Sequence, residues 1–211
     1  MAATDTQTAT DPDADAAVGT TIDQLRELFA DAPEVGKVAL ERVIQQLESD
    51  ASLTPPPPVE SAGRAGSRLG KVSELTIIVP FAPGGAQRLR TFLQLFNGNL
   101  AGADNVGTVH DMRFVFLDND TRLLFATSFD GDWDTYIDDF IALIPDYLDL
   151  MDSAWEGWPG IRNPGAKDYL VKHQITAEGW FVANPELTLA EIDRLKRQGK
   201  AVDEFLDKVG G

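Results

Sequence analysis

Thr108-Val109-His110-Asp111-Met112-Arg113-Phe114-Val115-Phe116-Leu117 is followed by Asp118-Asn119-Asp120 and then by Arg122-Leu123-Leu124-Phe125-Ala126-Thr127-Ser128-Phe129. Two runs rich in β-branched and aromatic residues, separated by short polar side chains that favour a turn, read as a β-hairpin. The segments on either side change period. Upstream, Leu75-Thr76-Ile77-Ile78-Val79 is a short β-branched strand that ends at Pro80 and at the turn residues Pro83-Gly84-Gly85. Leu89, Phe92, Leu93 and Phe96 then share one face of an amphipathic helix, with Asn97-Gly98 as its stop.

Downstream of the hairpin, a helix from about Asp132 carries Tyr136, Ile137, Phe140, Ile141 and Ile144 on one side; Pro145 kinks or restarts it, and the pattern resumes to about Met151. Glu156 to Gly165 holds two turn signals, Trp158-Pro159-Gly160 and Asn163-Pro164-Gly165. A short helix is expected over Lys167 to His173, and a last strand over Gly179-Trp180-Phe181-Val182-Ala183. Thr188 with Glu191 forms a capping box, and Leu189, Ile192, Leu195, Val202, Phe205, Leu206 and Val209 carry a helical pattern to the end. The order β-α-β-β-α-β-α specifies an α+β fold: a ferredoxin-like (split βαβ) antiparallel sheet with helices on one face. The other face keeps apolar side chains, which a second subunit or a ligand covers in this architecture.

Ahead of this domain, residues 1–20 are Ala, Thr and Asp in excess and are expected to form a disordered acidic tail. Residues 21–53 read as a helical pair: Thr21 and Gln24 form a capping-box pattern, Ile22, Leu25, Leu28 and Phe29 share a face, Pro33 interrupts, and Val35, Val38, Ile44 and Leu47 follow. The pair has too little apolar surface to stand alone and must dock in cis, on a second copy or on a partner. Residues 54–70, with four consecutive prolines and then a Ser/Gly/Ala/Arg stretch, read as a linker, which leaves residues 71–211 for the α+β domain.

The formal charge of −16 divides into −4 over residues 1–20, −4 over 21–53, +1 over 54–70 and −9 over 71–211, so tail and domain are both acidic. An acidic chain without a visible basic cluster argues against nucleic acid as partner. No cysteine is present, which removes disulfides, thiolate metal sites and a cysteine nucleophile. The start lacks a signal-peptide pattern and no run suffices for a membrane span, so a soluble, cytoplasmic protein is expected.

Val109 to Leu117, the segment Phe129-Asp130-Gly131-Asp132-Trp133-Asp134 with Tyr136 and Asp139-Phe140, and the ending Phe181-Val182-Ala183-Asn184-Pro185-Glu186-Leu187-Thr188 resemble a bacterial and fungal group of ferredoxin-like, dimeric α/β-barrel proteins. The resemblance covers roughly residues 71–209 and implies the architecture and a homodimer. The same superfamily includes dye-decolourising peroxidases, chlorite dismutases and non-haem monooxygenases. The peroxidases use an Asp in a Gly-x-x-Asp-Gly motif, a distal Arg and a proximal His. Asp130-Gly131 is similar to the end of that motif, with Thr127 in place of its first Gly. What the resemblance implies is therefore catalytic roles for His110, Arg113 and Asp130, and a haem lined by His173, Trp133, Tyr136 and Trp180.

Read from the residues themselves, these positions have plainer roles. His110 and Arg113 sit an odd number of residues apart, so a regular strand places them on opposite faces, and only a bulge brings them to one pocket. His110 is a base or axial ligand on the open face, or a strand-end histidine bonded to backbone. His173 suits the negative end of a short helix. Asp130, Asp132 and Asp134 alternate as calcium ligands do, but Thr135 and Ile141 stand where an EF-hand needs Gly and Glu; helix-start acids explain them more simply. Gly84-Gly85 lacks the Lys-Ser/Thr of a phosphate loop. Trp133, Tyr136, Trp155, Trp158 and Trp180 line either an aromatic pocket or the core.

The expected function is binding of a hydrophobic small molecule or haem in an apolar cavity between sheet and helices. If catalytic, the protein would be a peroxidase- or monooxygenase-like oxidoreductase. The alternative is a non-catalytic interaction protein whose N-terminal helices and acidic tail recruit a protein partner.

Overall fold

The structure, a computed structural model, describes residues 21–49, 58–95 and 106–210. The chain divides into two compact units between Pro56 and Pro57. In the first unit, residues 21–28 form helix α1 and Glu34–Ser49 form α2, on either side of the break at Pro33. Arg26 bridges them, donating from Nε to Glu41 Oε1 at 2.9 Å and from Nη2 to Oε2 at 3.1 Å. The tail over residues 1–20, the prolines up to Pro57, and Phe96 with the Asn97-Gly98 stop lie outside the described residues.

The second unit is built on a five-stranded antiparallel sheet in the order β1-β2-β3-β5-β4. Its strands are β1 (Glu60–Ser61), β2 (Ser67–Leu69), β3 (Val72–Pro80), β4 (Val109–Leu117) and β5 (Arg122–Asp130). The hairpin expected from the sequence is β4–β5. Asp118, Asn119 and Asp120 turn it at φ of 50°, 54° and 66°, a left-handed conformation that short polar side chains tolerate better than most. β5 pairs antiparallel with both β3 and β4, so β3 and β4 run parallel on either side of it, with helix α3 (Gly85–Leu95) in their connection.

β1 and β2 fall inside the stretch that composition assigns to the linker. Their hairpin closes on β3 through Arg68 opposite Ser73 and Leu69 opposite Val72. Gly66 makes the close approach: a Cβ there would lie 2.2 Å from the Glu74 carbonyl oxygen. Buried Glu74 ties down this edge, its carboxylate accepting from Ser67 N at 3.2 Å, Thr76 Oγ1 at 3.1 Å and Ala177 N at 3.4 Å.

The expected last strand over Gly179–Ala183 is corrected, because those residues form no strand. The edge of β3 is already occupied, by β2 at one end and at the other by Gln174 opposite Ile77, with Ile175 N donating to Thr76 O at 2.8 Å. That edge of β3 being taken, Trp180 and Val182 line a cleft over the sheet instead.

One face of the sheet carries Leu75, Ile77, Val79, Leu123 and Phe129 into the core. Helix α4 (Trp133–Leu143) packs on it with Trp133, Tyr136, Ile137 and Phe140, and α5 (Pro145–Asp152) restarts with Pro145 in its first turn, where the missing N–H costs nothing. Helix α6 (Ala166–His173) contributes Leu170. Each such apolar side chain contributes about 1.5–3 kcal/mol on burial. Helix α7 (Leu189–Val209) has no buried residue and starts with the expected capping box, Thr188 Oγ1 accepting from Glu191 N and Glu191 Oε2 from Thr188 N. Glu191 also receives Lys71 Nζ at 2.8 Å, and these bonds hold its carboxyl down at about 2.

Candidate functional site

The pairing of β4 with β5 slips between Val109 and Asp111: Val109 faces Phe129, Asp111 faces Ser128, and His110 is the extra residue. Such a bulge turns side chains that regular alternation would separate. His110, Asp111 and Arg113 consequently line one cleft on the face of the sheet away from α4 and α5. Val72 and Ser128 add to its floor, and residues 179–184 with Ile192 form its cover, Trp180 and Val182 among them. The cleft has a volume of about 440 Å³.

His110 Nε2 lies 2.7 Å from Asp130 Oδ1, and the second oxygen of Asp130 accepts from the backbone N–H of Leu189 at 2.8 Å. Asp130 therefore joins the imidazole to the first turn of α7. Arg113 is largely exposed, and its nearest carboxylate, Asp111, is 4.0 Å away. The neighbouring acids that suggested a cation site are engaged elsewhere: Asp132 takes Arg68 at 2.8 Å and Asp134 takes Lys167 at 3.0 Å. Among the described residues, no cluster of three His, Asp or Glu side chains is arranged to hold a metal ion.

A second cavity lies across the sheet, between it and the helices, with a volume of about 40 Å³. Met112, Phe125, Phe140, Met151 and Trp155 are among its walls, and Asp152 at the end of α5 reaches it. The Asp152 residue is only 6% exposed, and its carboxyl has no hydrogen-bond partner among the described residues. Desolvation pushes that carboxyl well above its usual range, and the neighbouring Asp149 pushes it the same way. Asp149 itself is held by Trp158 Nε1 at 3.0 Å and Ile161 N at 2.6 Å. The indole N–H of buried Trp155 also lacks a hydrogen-bond partner among the described residues. Tyr136 stacks on Phe129 with ring centroids 3.8 Å apart and shares a 3.1 Å hydrogen bond with Thr127; burial raises its phenol strongly.

The residues nominated from the sequence are thus divided by the sheet. His110, Arg113, Asp130 and Trp180 meet at the outer cleft, whereas Tyr136 lines the core cavity and Trp133 is buried nearby with Arg64 5.8 Å from its ring. His173 ends α6, its Nδ1 2.9 Å from Tyr169 O and its ring 4.3 Å from that of Tyr169. The core cavity does not fit a haem: it holds no histidine in its lining and is a small fraction of the size a porphyrin needs. At the outer cleft, His110 Nε2 is engaged by Asp130.

Sequence reasoning missed Asp152 and Trp155 as a polar pair. A signal was present: Leu148, Asp152 and Trp155 follow the i, i+4, i+7 spacing of one helical face, so a carboxyl stands on an apolar stripe. No protein-family model matches the chain, and neither does any curated protein or solved structure.

Proposed function

We propose that the second unit binds a small, mostly apolar molecule carrying one hydroxyl or amine group in the cavity between sheet and helices. The scaffold we infer is ferredoxin-like, with the place of the fourth strand shared by β2 and Gln174-Ile175. The observation that supports the reading is the Asp152 carboxyl, buried among aromatic side chains and without a hydrogen-bond partner among the described residues. Leaving such a group unpaired costs about 1–3 kcal/mol, and apolar pockets with a few convergent polar groups are typical ligand sites.

A neutral Asp152 carboxyl both donates and accepts, and Trp155 Nε1 donates. A guest hydroxyl can answer both. At about 40 Å³ the cavity as packed takes little more than water. Met112, Leu148 and Met151 in its wall are unbranched at Cβ, and the methionines repack readily, so a guest ring enters by displacing them.

Benzyl alcohol, neutral at every working pH, is a suitable probe. It should raise the unfolding temperature in a concentration-dependent way. Asp152→Leu should weaken binding about tenfold, the worth of one hydrogen bond to a buried group. Equal binding to wild type and Asp152→Leu would remove the proposal.

A second reading, recruitment of a partner protein, is favoured by the exposure of Leu28 and Val35 in the first unit and of Val202, Phe205 and Val209 on α7. Removing residues 1–57, which spares β1 and β2, should abolish partner capture while leaving the second unit folded; capture that survives this truncation would exclude the N-terminal helices as the recruiting element.

A further inference from the structure

We propose that the outer cleft is an acid–base site for a weakly acidic phenol or enol, in which His110 takes the hydroxyl proton and Arg113 holds the oxygen left negative. The site lies across the sheet from the core cavity and does not depend on that reading. Its volume of about 440 Å³ falls within the span of about 300–1,000 Å³ common to small-molecule sites. Val72, Trp180, Val182 and Ile192 offer apolar surface for a ring, and Arg113 and Ser128 bring donors to the same space.

The state of the imidazole follows from its partner. An ionised carboxylate only accepts, so with Asp130 Oδ1 at 2.7 Å the neutral imidazole carries its hydrogen on Nε2, and in that form Nδ1 keeps its lone pair. Nδ1 has no hydrogen-bond partner among the described residues. Two features hold the ring in place. The bulge at His110 brings it to the cleft, and the Leu189 N–H on the other oxygen of Asp130 keeps the carboxylate from turning away. A base oriented by a fixed second group is the arrangement that proton transfer requires.

The transfer balances without any further reactant. The O–H bond of the bound ligand breaks, its proton forms a bond to Nδ1, and the electron pair stays on the ligand oxygen. The imidazolium so formed is balanced by Asp130 across the ring. Arg113, 4.0 Å from Asp111 and so beyond hydrogen-bond distance, keeps donors for the oxyanion. Asp111 in the same lining, on a chain of formal charge −16, disfavours ligands that arrive as anions. The cleft therefore suits molecules that enter neutral and ionise in place.

4-Nitrophenol reports this directly, because its ionised form has a distinct visible absorption band. With the full-length chain at a pH below the probe's own pKa, bound probe should be more ionised than free probe. His110→Gln should abolish that excess ionisation, and Arg113→Gln should weaken binding about tenfold, the worth of one charge-assisted hydrogen bond. Asp130→Asn keeps an oxygen for Leu189 N–H and so guards against a folding artefact; it should lower the ionised fraction while the thermal unfolding of the protein stays cooperative. Lys200→Gln, exposed on α7 and outside both cavities, should change nothing. The proposal is overturned if bound probe is no more ionised than free probe, or if His110→Gln keeps the excess. Loss of the signal in Asp152→Leu would place the probe in the core cavity and overturn it equally.

Discussion

The two faces of the sheet are built from alternate residues of the same strands, yet they treat a carboxyl group in opposite ways. On the helix-covered face, Asp152 sits among Phe140, Trp155 and Met151 with no hydrogen-bond partner among the described residues, and desolvation drives it toward the neutral acid. On the outer face Asp130 is also well shielded, but both of its oxygens are engaged, by His110 and by Leu189 N–H. Burial alone does not decide what such a group can do; its partners do. Asp152 is set up to meet a guest, and Asp130 to orient a neighbour.

The largest expected effect tests whether the two faces differ in energy as they differ in burial. Phe129 is fully buried against Tyr136, whereas Val115 on the outer face is 43% exposed. Phe129→Ala should cost about 3–5 kcal/mol in denaturant unfolding, and Val115→Ala about 1 kcal/mol or less, in proportion to the smaller apolar area it hides. Comparable losses would mean that the outer face is covered in solution as thoroughly as the inner one.

Next in size is Asp152. Asp152→Leu removes an unpaired polar group and leaves an aliphatic side chain beside a small void, so the fold should gain about 1–3 kcal/mol at neutral pH. The sign of the pH dependence follows from the raised carboxyl. A group whose pKa rises on folding contributes stability that is fully present below its unfolded value, near 3.8, and is lost as pH climbs through the folded value. Wild type should therefore lose stability relative to Asp152→Leu as pH rises above 4, and a difference that is flat with pH would show that the carboxyl reaches water.

What the sequence could say about this comparison depended on whether the deciding interaction was local. The β4–β5 hairpin and the Thr188–Glu191 capping box are set by residues a few positions apart, and both form as read. The bulge at His110 depends on how two strands slide against each other; alternation along one strand does not record that, so the sequence left His110 and Arg113 on opposite faces unless the pairing slipped. Gly179 to Ala183 has strand composition, but composition does not say whether an edge is free. β2, Gln174 and Ile175 occupy it, and the same apolar residues cover the outer cleft instead. Asp152 was legible only as a polar residue out of place on an apolar stripe.

A smaller effect is expected where the outer face meets α7. Thr188→Ala removes the hydroxyl that accepts from Glu191 N and should cost about 1 kcal/mol. Because α7 buries none of its residues, the loss should appear as faster amide exchange in its first turn rather than as a shift in global unfolding. Faster exchange spreading to β5 through the Leu189–Asp130 bond would show that the helix start and the His110 pair are coupled.

The smallest effect concerns Glu191, which is half-buried and held down at about 2 by Lys71 and by the Thr188 backbone. A carboxyl whose pKa falls on folding contributes stability that is present above its ordinary value of 4.5 and lost as pH drops through the folded value. Between pH 4.5 and 2 the start of α7 should thus loosen while the helix-covered face, where Asp152 is already neutral, holds. Salt should blunt this loosening, since the Lys71 contact is open to solvent and screened within about 8–10 Å at ordinary ionic strength. Amide exchange followed down that pH range at low and high salt separates the two faces by the titration of a single residue on each. Simultaneous loosening of α4 and α7 would instead show that the sheet transmits the change and that the faces are one cooperative unit.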